Sequence, residues 1–264
     1  MGTSFWHARR VLITGCSGFL GGAVARELVA RGAEVVGLAQ TPPPPDHFGP
    51  DPTRVNVLNG RADNVFRLHS ALAVHEISCV FHLAARDPFG ADRSTPAVLQ
   101  AMGMYSRRVP VVTARPFAPL GIASGDGRDE RMSVARFGEV FGPGDRKPFR
   151  ALPALALGDA PARPNPPRDF VFVRDAARAL LLVAEAFPAD GASDYPFRSG
   201  WHLSDSHLAA AVRDVTEGRE PKVPDTAPPT NPLGWVPEVS FGAALAEALA
   251  WYRAHGRTET RRAA

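Results

Sequence analysis

Short apolar runs alternate with helical patterns along the first 40 residues of the chain. Residues 10–15 (RVLITG) form a β-branched apolar run that ends in glycine, which predicts a buried strand. Apolar side chains at helical spacing predict a helix over 19–31, and Gly32 predicts its end. Residues 34–39 (EVVGLA) predict the next strand. This order indicates a βαβ unit and hence a parallel sheet.

The rest of the chain continues the alternation after a proline-rich loop at 41–52. The last predicted helix has Ser240 as its N-cap and Gly256 as its stop, and a linker at 221–232 precedes it. The further predicted elements are strands at 77–85, 109–113 and 133–141, and helices at 62–74, 173–187, 205–216 and 241–255.

Composition excludes several classes of function. The chain has 30 basic and 27 acidic residues, and its arginines are dispersed, which argues against a nucleic-acid partner. Two cysteines, Cys16 and Cys79, form neither a disulfide framework nor a metal-ligand spacing. No run approaches the roughly eighteen apolar residues that a membrane span needs. We therefore expect a cytoplasmic protein with no membrane association.

Three glycines lie between the first predicted strand and the first predicted helix. Gly15, Gly18 and Gly21 have GxxGxxG spacing. Glycines at such a turn allow a tight bend, a close approach of the backbone to a pyrophosphate, and close packing of helix on strand. The helix N-terminus offers free N–H groups to phosphates. The pattern predicts a dinucleotide site, and the alternative is a glycine-rich turn without a ligand.

Several segments resemble the extended short-chain dehydrogenase/reductase family, the NAD-dependent nucleotide-sugar epimerases and dehydratases. These segments are VLITGCSGFLG, VFHLAA (80–85), SVARFGEVFGPGD (133–145), RDFVFVRDAARALLLVAE (168–185) and LGWVPEVSFGAALAEALAWYR (233–253). The resemblance implies an α/β fold: a Rossmann-like doubly wound parallel sheet with a small C-terminal substrate lobe. It implies an NAD(P)-binding domain over 1–143 and the lobe over 144–264, with residues near 168–187 as a segment able to return to the first domain.

The resemblance also implies site residues. NAD or NADP would contact the first turn and the end of the HLAA strand, at Gly15, Ser17, Gly18, Phe19, Leu20, Gly21, Leu83, Ala84 and Ala85. Arg168 matches an arginine that approaches the substrate diphosphate of a nucleotide-linked sugar, with a structural ion pair to Asp169 or Asp175 as the alternative. The position of the family's ribose-binding carboxylate corresponds to Ala39 or Gln40, and neither side chain carries a carboxylate. NAD is therefore not favoured over NADP. For the family's adenine-contacting aspartate, Asn59, Arg61 and Asp63 compete.

The family's catalytic Tyr-x-x-x-Lys pair is missing. Four residues after the three tyrosines, Tyr105, Tyr195 and Tyr252, stand Val109, Ser199 and Gly256. Residues 109–121 resemble the family's fifth strand and its loop, and only twelve residues, 122–133, then lead to the segment that resembles the sixth strand, too few for the long helix that carries this pair in relatives. We therefore expect one sheet face near these strands to lose its cover. We also expect the family-type dimer to be weakened or absent, which light scattering would test.

Other residues are weaker candidates for catalysis. Thr113 can hydrogen-bond a ligand or pack. The resemblance implies that Glu139 lies where relatives place residues near the nicotinamide or the sugar, and the alternative is a surface position. Tyr105 is followed by two arginines, but a solvated helix end is the simpler interpretation. His82 is interpreted as a satisfied core histidine, Asp175 as a structural residue at a helix start, and Trp235 as a packing residue.

Three functional hypotheses remain open at this point. The chain is an epimerase/dehydratase-like enzyme with impaired catalysis, a non-catalytic pseudoenzyme that binds a cofactor or nucleotide, or a truncated gene product. The motifs on both sides of the missing block are intact. As an account of the chain's activity, this favours the second and third hypotheses over the first.

Overall fold

The computed structural model describes residues 4–44, 46–84, 94–105, 107–117, 132–146, 150–158, 166–187, 193–223 and 229–259, with side chains described as far as His255. The chain folds into two compact units. The first is Met1–Arg136 with Ala177–Tyr195, and the second is Phe137–Ala176 with Pro196–Ala264.

The first unit is built on a seven-stranded sheet of order β3-β2-β1-β4-β5-β6-β9. Its pairs β3·β2, β2·β1, β1·β4 and β4·β5 are parallel. The strands are β1 (Arg10–Thr14), β2 (Glu34–Ala39), β3 (Val55–Asn59), β4 (Cys79–His82), β5 (Val111–Pro116), β6 (Met132–Phe137) and β9 (Asp194–Pro196). The predicted Rossmann-like α/β fold is thus confirmed.

Helices lie on both faces of this sheet. They are α1 (Phe19–Ala30), α2 (Val65–Val74), α3 (Ser94–Met104) and α5 (Val173–Glu185), the last of which enters the first unit at Ala177. Glu185 at the end of α5 lies 3.8 Å from Arg31, the C-cap of α1, and it also accepts a hydrogen bond from the Trp6 indole. α1 and α5 therefore share one face, and α2 and α3 pack together on the other.

The sheet face under α2 and α3 is where helical cover is expected to be lost near β5 and β6. Val111 of β5 and Met132 of β6 are buried in the same apolar cluster as Leu68 of α2 and Val98 of α3. Val134, two residues after Met132 and therefore on the same face of β6, is only partly buried, so the expected loss of cover near these strands stays a prediction. The segment 118–131, on which the missing-helix argument rests, lies outside the described residues.

The second unit contains a three-stranded sheet of order β10-β8-β7. Its strands are β7 (Glu139–Phe141), β8 (Arg168–Phe172) and β10 (His202–Leu203), and its helices are α4 (Ala151–Leu157), α6 (Asp205–Thr216) and α7 (Phe241–Glu259). β7 and β8 are parallel, whereas β10 and β8 are antiparallel. Phe141 lies among the rings of Phe170, Phe172, Trp201 and Phe241 and forms the centre of an aromatic core.

Two predicted boundaries are wrong for physical reasons. The predicted strand at 133–141 is two strands, β6 and β7, because the chain bends at Gly138, where a Cβ would lie 2.0 Å from the Asp169 carbonyl oxygen. α7 does begin after Ser240, whose Oγ accepts from the Ala243 N–H, but it runs through Gly256 to Glu259. A glycine within a helix weakens it without ending it.

Candidate functional site

The turn between β1 and α1 needs glycine at its first and third glycine positions. Gly15 has φ +75°, and a Cβ there would lie 2.7 Å from the Ala84 nitrogen. A Cβ on Gly21 would lie 2.2 Å from the Gly15 carbonyl oxygen. The first glycine thus brings the turn against the end of β4, and the third lets α1 pack directly on the turn.

The N-terminus of α1 is built without an anionic group of its own. Gly18 is the N-cap, so no side chain caps the helix, and its first turn contains no acidic residue. Ser17 and Gly18 are exposed, while Phe19 and Leu20 are partly exposed. The first N–H groups of a helix have no intrahelical acceptor and carry a partial positive charge. This arrangement fits a phosphate group of a ligand.

The end of β4 is held beside the same turn. The Leu83 N–H donates to the Thr14 carbonyl oxygen at 3.1 Å, and the Ala84 N–H lies 3.4 Å from Thr14 Oγ1. The structure thus brings Leu83 and Ala84 together with Gly15, as expected for residues around one groove. The third residue predicted here, Ala85, lies outside the described residues.

A network of hydrogen-bonded polar side chains lies next to the turn, at the ends of β1 and β4 and in β5. Thr14 Oγ1 and His82 Nδ1 are 2.7 Å apart, and His82 Nε2 lies 3.1 Å from Thr95 Oγ1 of α3. Thr113 Oγ1 donates to the His82 carbonyl oxygen at 2.8 Å. His82 is therefore a satisfied core histidine, as predicted, and the Thr113 hydroxyl hydrogen is used within the protein.

The carboxyl ends of β2 and β3 form the outer edge of the same sheet. Gly60 donates to the Ala39 carbonyl oxygen, which places Gln40 and Arg61 at this corner. Arg61 binds Asp63 through Nε and Nη2, and hydrogen bonding to Asp63 raises the pKa of its guanidinium. Gln40 is exposed and uncharged. The second strand thus ends without the carboxylate that would favour an unphosphorylated ribose.

In the second unit, Arg168 binds two carboxylates. Its Nε donates to Glu139 Oε2 at 2.5 Å, and its Nη1 donates to Asp205 Oδ1 at 2.8 Å. The structure thus brings together two predicted residues, Glu139 and Arg168, and adds Asp205, for which the sequence carries no signal. The alternative interpretation, a structural ion pair, is thus found with Glu139 and Asp205 as partners and not with Asp169 or Asp175.

Asp169 and Asp175 are structural residues of the second unit. Asp169 accepts from the Ser199 N–H, the Ser199 hydroxyl and the Gly200 N–H, while burial raises the pKa of its carboxyl above the usual range. Asp175 Oδ1 accepts from the Glu238 N–H at 3.1 Å. Trp235 is buried and donates to the Asp175 carbonyl oxygen, which agrees with its predicted packing role.

The second unit also buries a polar group for which the sequence gives no sign. Asp145 and Arg150 form an ion pair at 3.0 Å, and the Asp145 carboxylate is only 2 % exposed. The Tyr252 hydroxyl is buried without a hydrogen-bond partner among the described residues, and burial followed by the charge of Asp145 raises its pKa. This phenol is therefore poorly suited to release a proton.

Tyr105 is a packing residue. Its hydroxyl donates to the Ile77 carbonyl oxygen at 3.1 Å, and its ring lies against the cluster under α2 and α3. The helix α3 ends at Met104, and Met104, Arg107 and Arg108 are exposed, so the predicted solvated helix end agrees with the structure and a catalytic role of Tyr105 is not indicated.

Side chains able to bind a metal ion are not clustered in the part of the chain that the structure describes. Within the described part of the chain, no three His, Cys, Asp or Glu side chains are grouped so that they could hold one. No described helix combines the length and the apolar character that crossing a bilayer would require.

Comparison with known proteins gives a family match and a fold match. Residues 11–109 match the model of the NAD dependent epimerase/dehydratase family. No curated protein matches the chain in sequence.

Solved structures match over nearly the whole chain. The Bordetella bronchiseptica enzyme WbmF, solved in complex with NAD+, has 20 % identity and a TM-score of 0.74, with 98 % of this chain and 96 % of that one covered. UDP-glucose 4-epimerase of Thermotoga maritima, solved with UDP-glucose, has 18 % identity and a TM-score of 0.69, with 93 % and 99 % covered. The enzyme of Thermus thermophilus, solved with NAD, has 20 % identity and a TM-score of 0.68, with 93 % and 99 % covered. The predicted resemblance to the NAD dependent epimerase/dehydratase family is therefore confirmed, in sequence over residues 11–109 and in fold over nearly the whole chain.

Proposed function

We propose that this chain binds an NAD-type dinucleotide, with its pyrophosphate at the N-terminus of α1. The observation that carries the proposal is the uncapped first turn of α1, held on β1 by the contact of Gly21 with Gly15. The phosphates would be bound by N–H groups of Phe19, Leu20 and Gly21 and by the partial charge of the helix end. The matched structures of WbmF and of the Thermus thermophilus epimerase were solved with NAD, which supports this choice of ligand.

The same comparison supports a proposal for the reaction class. When bound at this turn, a nicotinamide dinucleotide would supply hydride-transfer chemistry. We propose that the whole chain belongs to the epimerase/dehydratase family and that its second unit accepts a nucleotide-linked sugar. The structures solved with UDP or UDP-glucose support this substrate class.

Arg168 is the proposed contact for the diphosphate of that substrate. A guanidinium is suited to phosphate oxygens because of its planar set of donors. Here it already binds Glu139 and Asp205, so a diphosphate would have to compete with two carboxylates. We therefore propose that the affinity for the nucleotide is low unless one of these ion pairs opens on binding.

Catalysis is proposed to be impaired. The chain has no Tyr-x-x-x-Lys sequence, and two of its three tyrosines are unsuited to acid/base catalysis, because the Tyr105 hydroxyl donates to the Ile77 carbonyl oxygen and the Tyr252 hydroxyl is buried. Loss of a positioned acid/base group costs roughly a hundred- to ten-thousand-fold in rate. The second candidate function is that of a non-catalytic binding protein in the cytoplasm that does not form the family-type dimer. The absence of the Tyr-x-x-x-Lys pair favours this candidate.

A pair of substitutions at Gly18 tests the cofactor site. Gly18→Asp places a carboxylate at the helix N-terminus, where it would cap α1 but repel phosphate, whereas Gly18→Asn caps the helix without charge. We expect the Asp variant to bind NADH at least about ten-fold more weakly than the Asn variant, a difference of about 1.4 kcal/mol. Calorimetric titration measures the affinity, and thermal unfolding shows that both variants are folded. Equal NADH affinity for the two variants would place the phosphates elsewhere.

A further inference from the structure

His47, in the proline-rich loop after β2, contacts the turn between β1 and α1 (residues 15–18), which is called the dinucleotide turn below. The His47 Nε2 atom is 2.8 Å from the carbonyl oxygen of Cys16, the residue that follows Gly15. Because a carbonyl oxygen only accepts hydrogen bonds, Nε2 is the protonated nitrogen of this ring. The loop therefore donates a side-chain hydrogen bond to the backbone of the turn.

The imidazole occupies a space that α1 leaves open for it. A Cβ built on Gly22 would lie 2.4 Å from His47 Nε2 and 2.6 Å from its Cε1 atom. Gly22 lies in the first turn of α1 and is buried. The ring of His47 thus packs on the helix backbone at Gly22, and alanine at this position would displace it.

Two further contacts fix the position of His47. Arg26, one turn further along α1, donates from Nη1 to the His47 carbonyl oxygen at 2.7 Å. Phe48 is buried with 5 % of its surface exposed, and its ring meets that of His47 edge-on at 5.0 Å. The histidine is therefore held by its backbone, by its neighbour and by its own ring.

The hydrogen bond to Cys16 has a consequence for the next residue. In a trans peptide, the C=O and the following N–H point in opposite directions. Fixing the Cys16 carbonyl toward His47 therefore fixes the Ser17 N–H away from it. Since Ser17 and Gly18 form the exposed part of the turn, this contact orients the backbone that approaches a phosphate.

We propose that His47 is a positioning residue that holds the dinucleotide turn in its phosphate-binding conformation. The inference rests on the proposed cofactor function, since the turn is the site named there. His47 does not touch the dinucleotide in this account and acts through the Cys16–Ser17 peptide. Its contribution is preorganisation, which lowers the ordering cost that binding would otherwise incur.

Three variants test this role with ADP-ribose, which contains the pyrophosphate but no nicotinamide. We expect His47→Ala to weaken ADP-ribose binding by about five- to ten-fold, the loss of one hydrogen bond. His47→Gln keeps a donor at the end of its side chain and is expected to restore part of this affinity. Gly22→Ala leaves His47 in the sequence but removes its space, and it is expected to weaken binding as His47→Ala does.

Hydrogen exchange gives a second readout and His75→Ala the control. His75 is the C-cap of α2, at the opposite end of that helix from the carboxyl edge of the sheet. Amide exchange over residues 15–21 should rise in His47→Ala and Gly22→Ala but not in His75→Ala. Wild-type affinity in both His47→Ala and Gly22→Ala would overturn the role of His47 alone, whereas a wild-type chain that does not bind ADP-ribose would overturn the cofactor proposal as well.

Discussion

Gln40 stands at the end of β2, where a carboxylate in related folds binds the adenosine ribose and repels a 2′-phosphate. Here the side chain is exposed and neutral, and the neighbouring corner carries Arg61. The guanidinium of Arg61 is partly offset by Asp63, so this corner neither repels a 2′-phosphate strongly nor holds it by a free cation. We therefore expect NADH and NADPH to bind with similar affinity.

The substitution Gln40→Asp tests this expectation. The new carboxylate should weaken NADPH binding by about ten-fold or more while NADH binding is kept or improved. Parallel fluorescence titrations of both cofactors measure the ratio, and Gln40→Asn serves as the uncharged control. An unchanged ratio in the Asp variant would mean that the adenosine does not reach this corner.

The two thiols are predicted to be inert in the folded chain. Burial raises the pKa of Cys16 to about 11 and that of Cys79 to about 12, from an ordinary value of 9.0. Both should therefore fail to react with a disulfide reagent at about pH 8 until the chain is unfolded. Rapid labelling of the native protein would show that the dinucleotide turn or β4 opens in solution.

The raised pKa values of the two thiols also determine how the stability of the fold changes at alkaline pH. A thiol whose pKa is raised by folding stabilises the fold fully below its unfolded pKa, and this contribution is lost as the pH rises through the folded pKa. The melting temperature should thus fall between pH 9.0 and about 11 to 12. A melting temperature that stays level over this range would contradict the burial of both thiols.

At the scale of elements, α1 depends on close packing at Gly21. A Cβ there would meet the Gly15 carbonyl oxygen at 2.2 Å, so Gly21→Ala must shift the helix on β1. We expect a loss of about 2–3 kcal/mol in the free energy of unfolding, measured by urea denaturation. The matched control is Gly103→Ala, at an exposed position in α3, which is expected to gain up to about 0.5–1 kcal/mol. A neutral Gly21→Ala variant would refute the packing account of the third glycine.

Elements are predictable from the sequence where the signal is local. The βαβ unit and α6 are indicated by runs of adjacent residues, and their observed bounds agree closely with the predicted ones. α3 gives no clear helical pattern because Pro96 and Gly103 interrupt a weakly amphipathic segment. The break at Gly138 is invisible in the local pattern because its cause is the carbonyl of Asp169, 31 positions further along the chain.

The same distinction applies to the site. The glycine spacing is confined to seven residues, 15–21, so the sequence could indicate the turn. Arg168 binds Glu139 and Asp205, which lie 29 and 37 residues away from it in the sequence. No local sequence pattern predicts these contacts. The fit of His47 against Gly22 likewise depends on how the proline-rich loop folds back.

At the scale of the whole molecule, the first unit contains the turn proposed to bind a dinucleotide, and the second contains Arg168 with Glu139 and Asp205. An active epimerase would use both, together with a positioned acid/base group. Because the chain lacks Tyr-x-x-x-Lys, we expect turnover of UDP-glucose at least about a hundred-fold below that of a complete enzyme. Product analysis beside the Thermotoga maritima UDP-glucose 4-epimerase measures the difference, and comparable rates would contradict the proposed impairment.

The most direct test of the account is a calorimetric titration of the wild-type chain with NADH, with ADP-ribose as the shorter ligand. Backbone N–H groups at the first turn of α1 should bind both ligands saturably, with one ligand per chain and a dissociation constant below about 1 mM. If neither ligand saturates the chain at millimolar concentration, the turn between β1 and α1 is not a dinucleotide site.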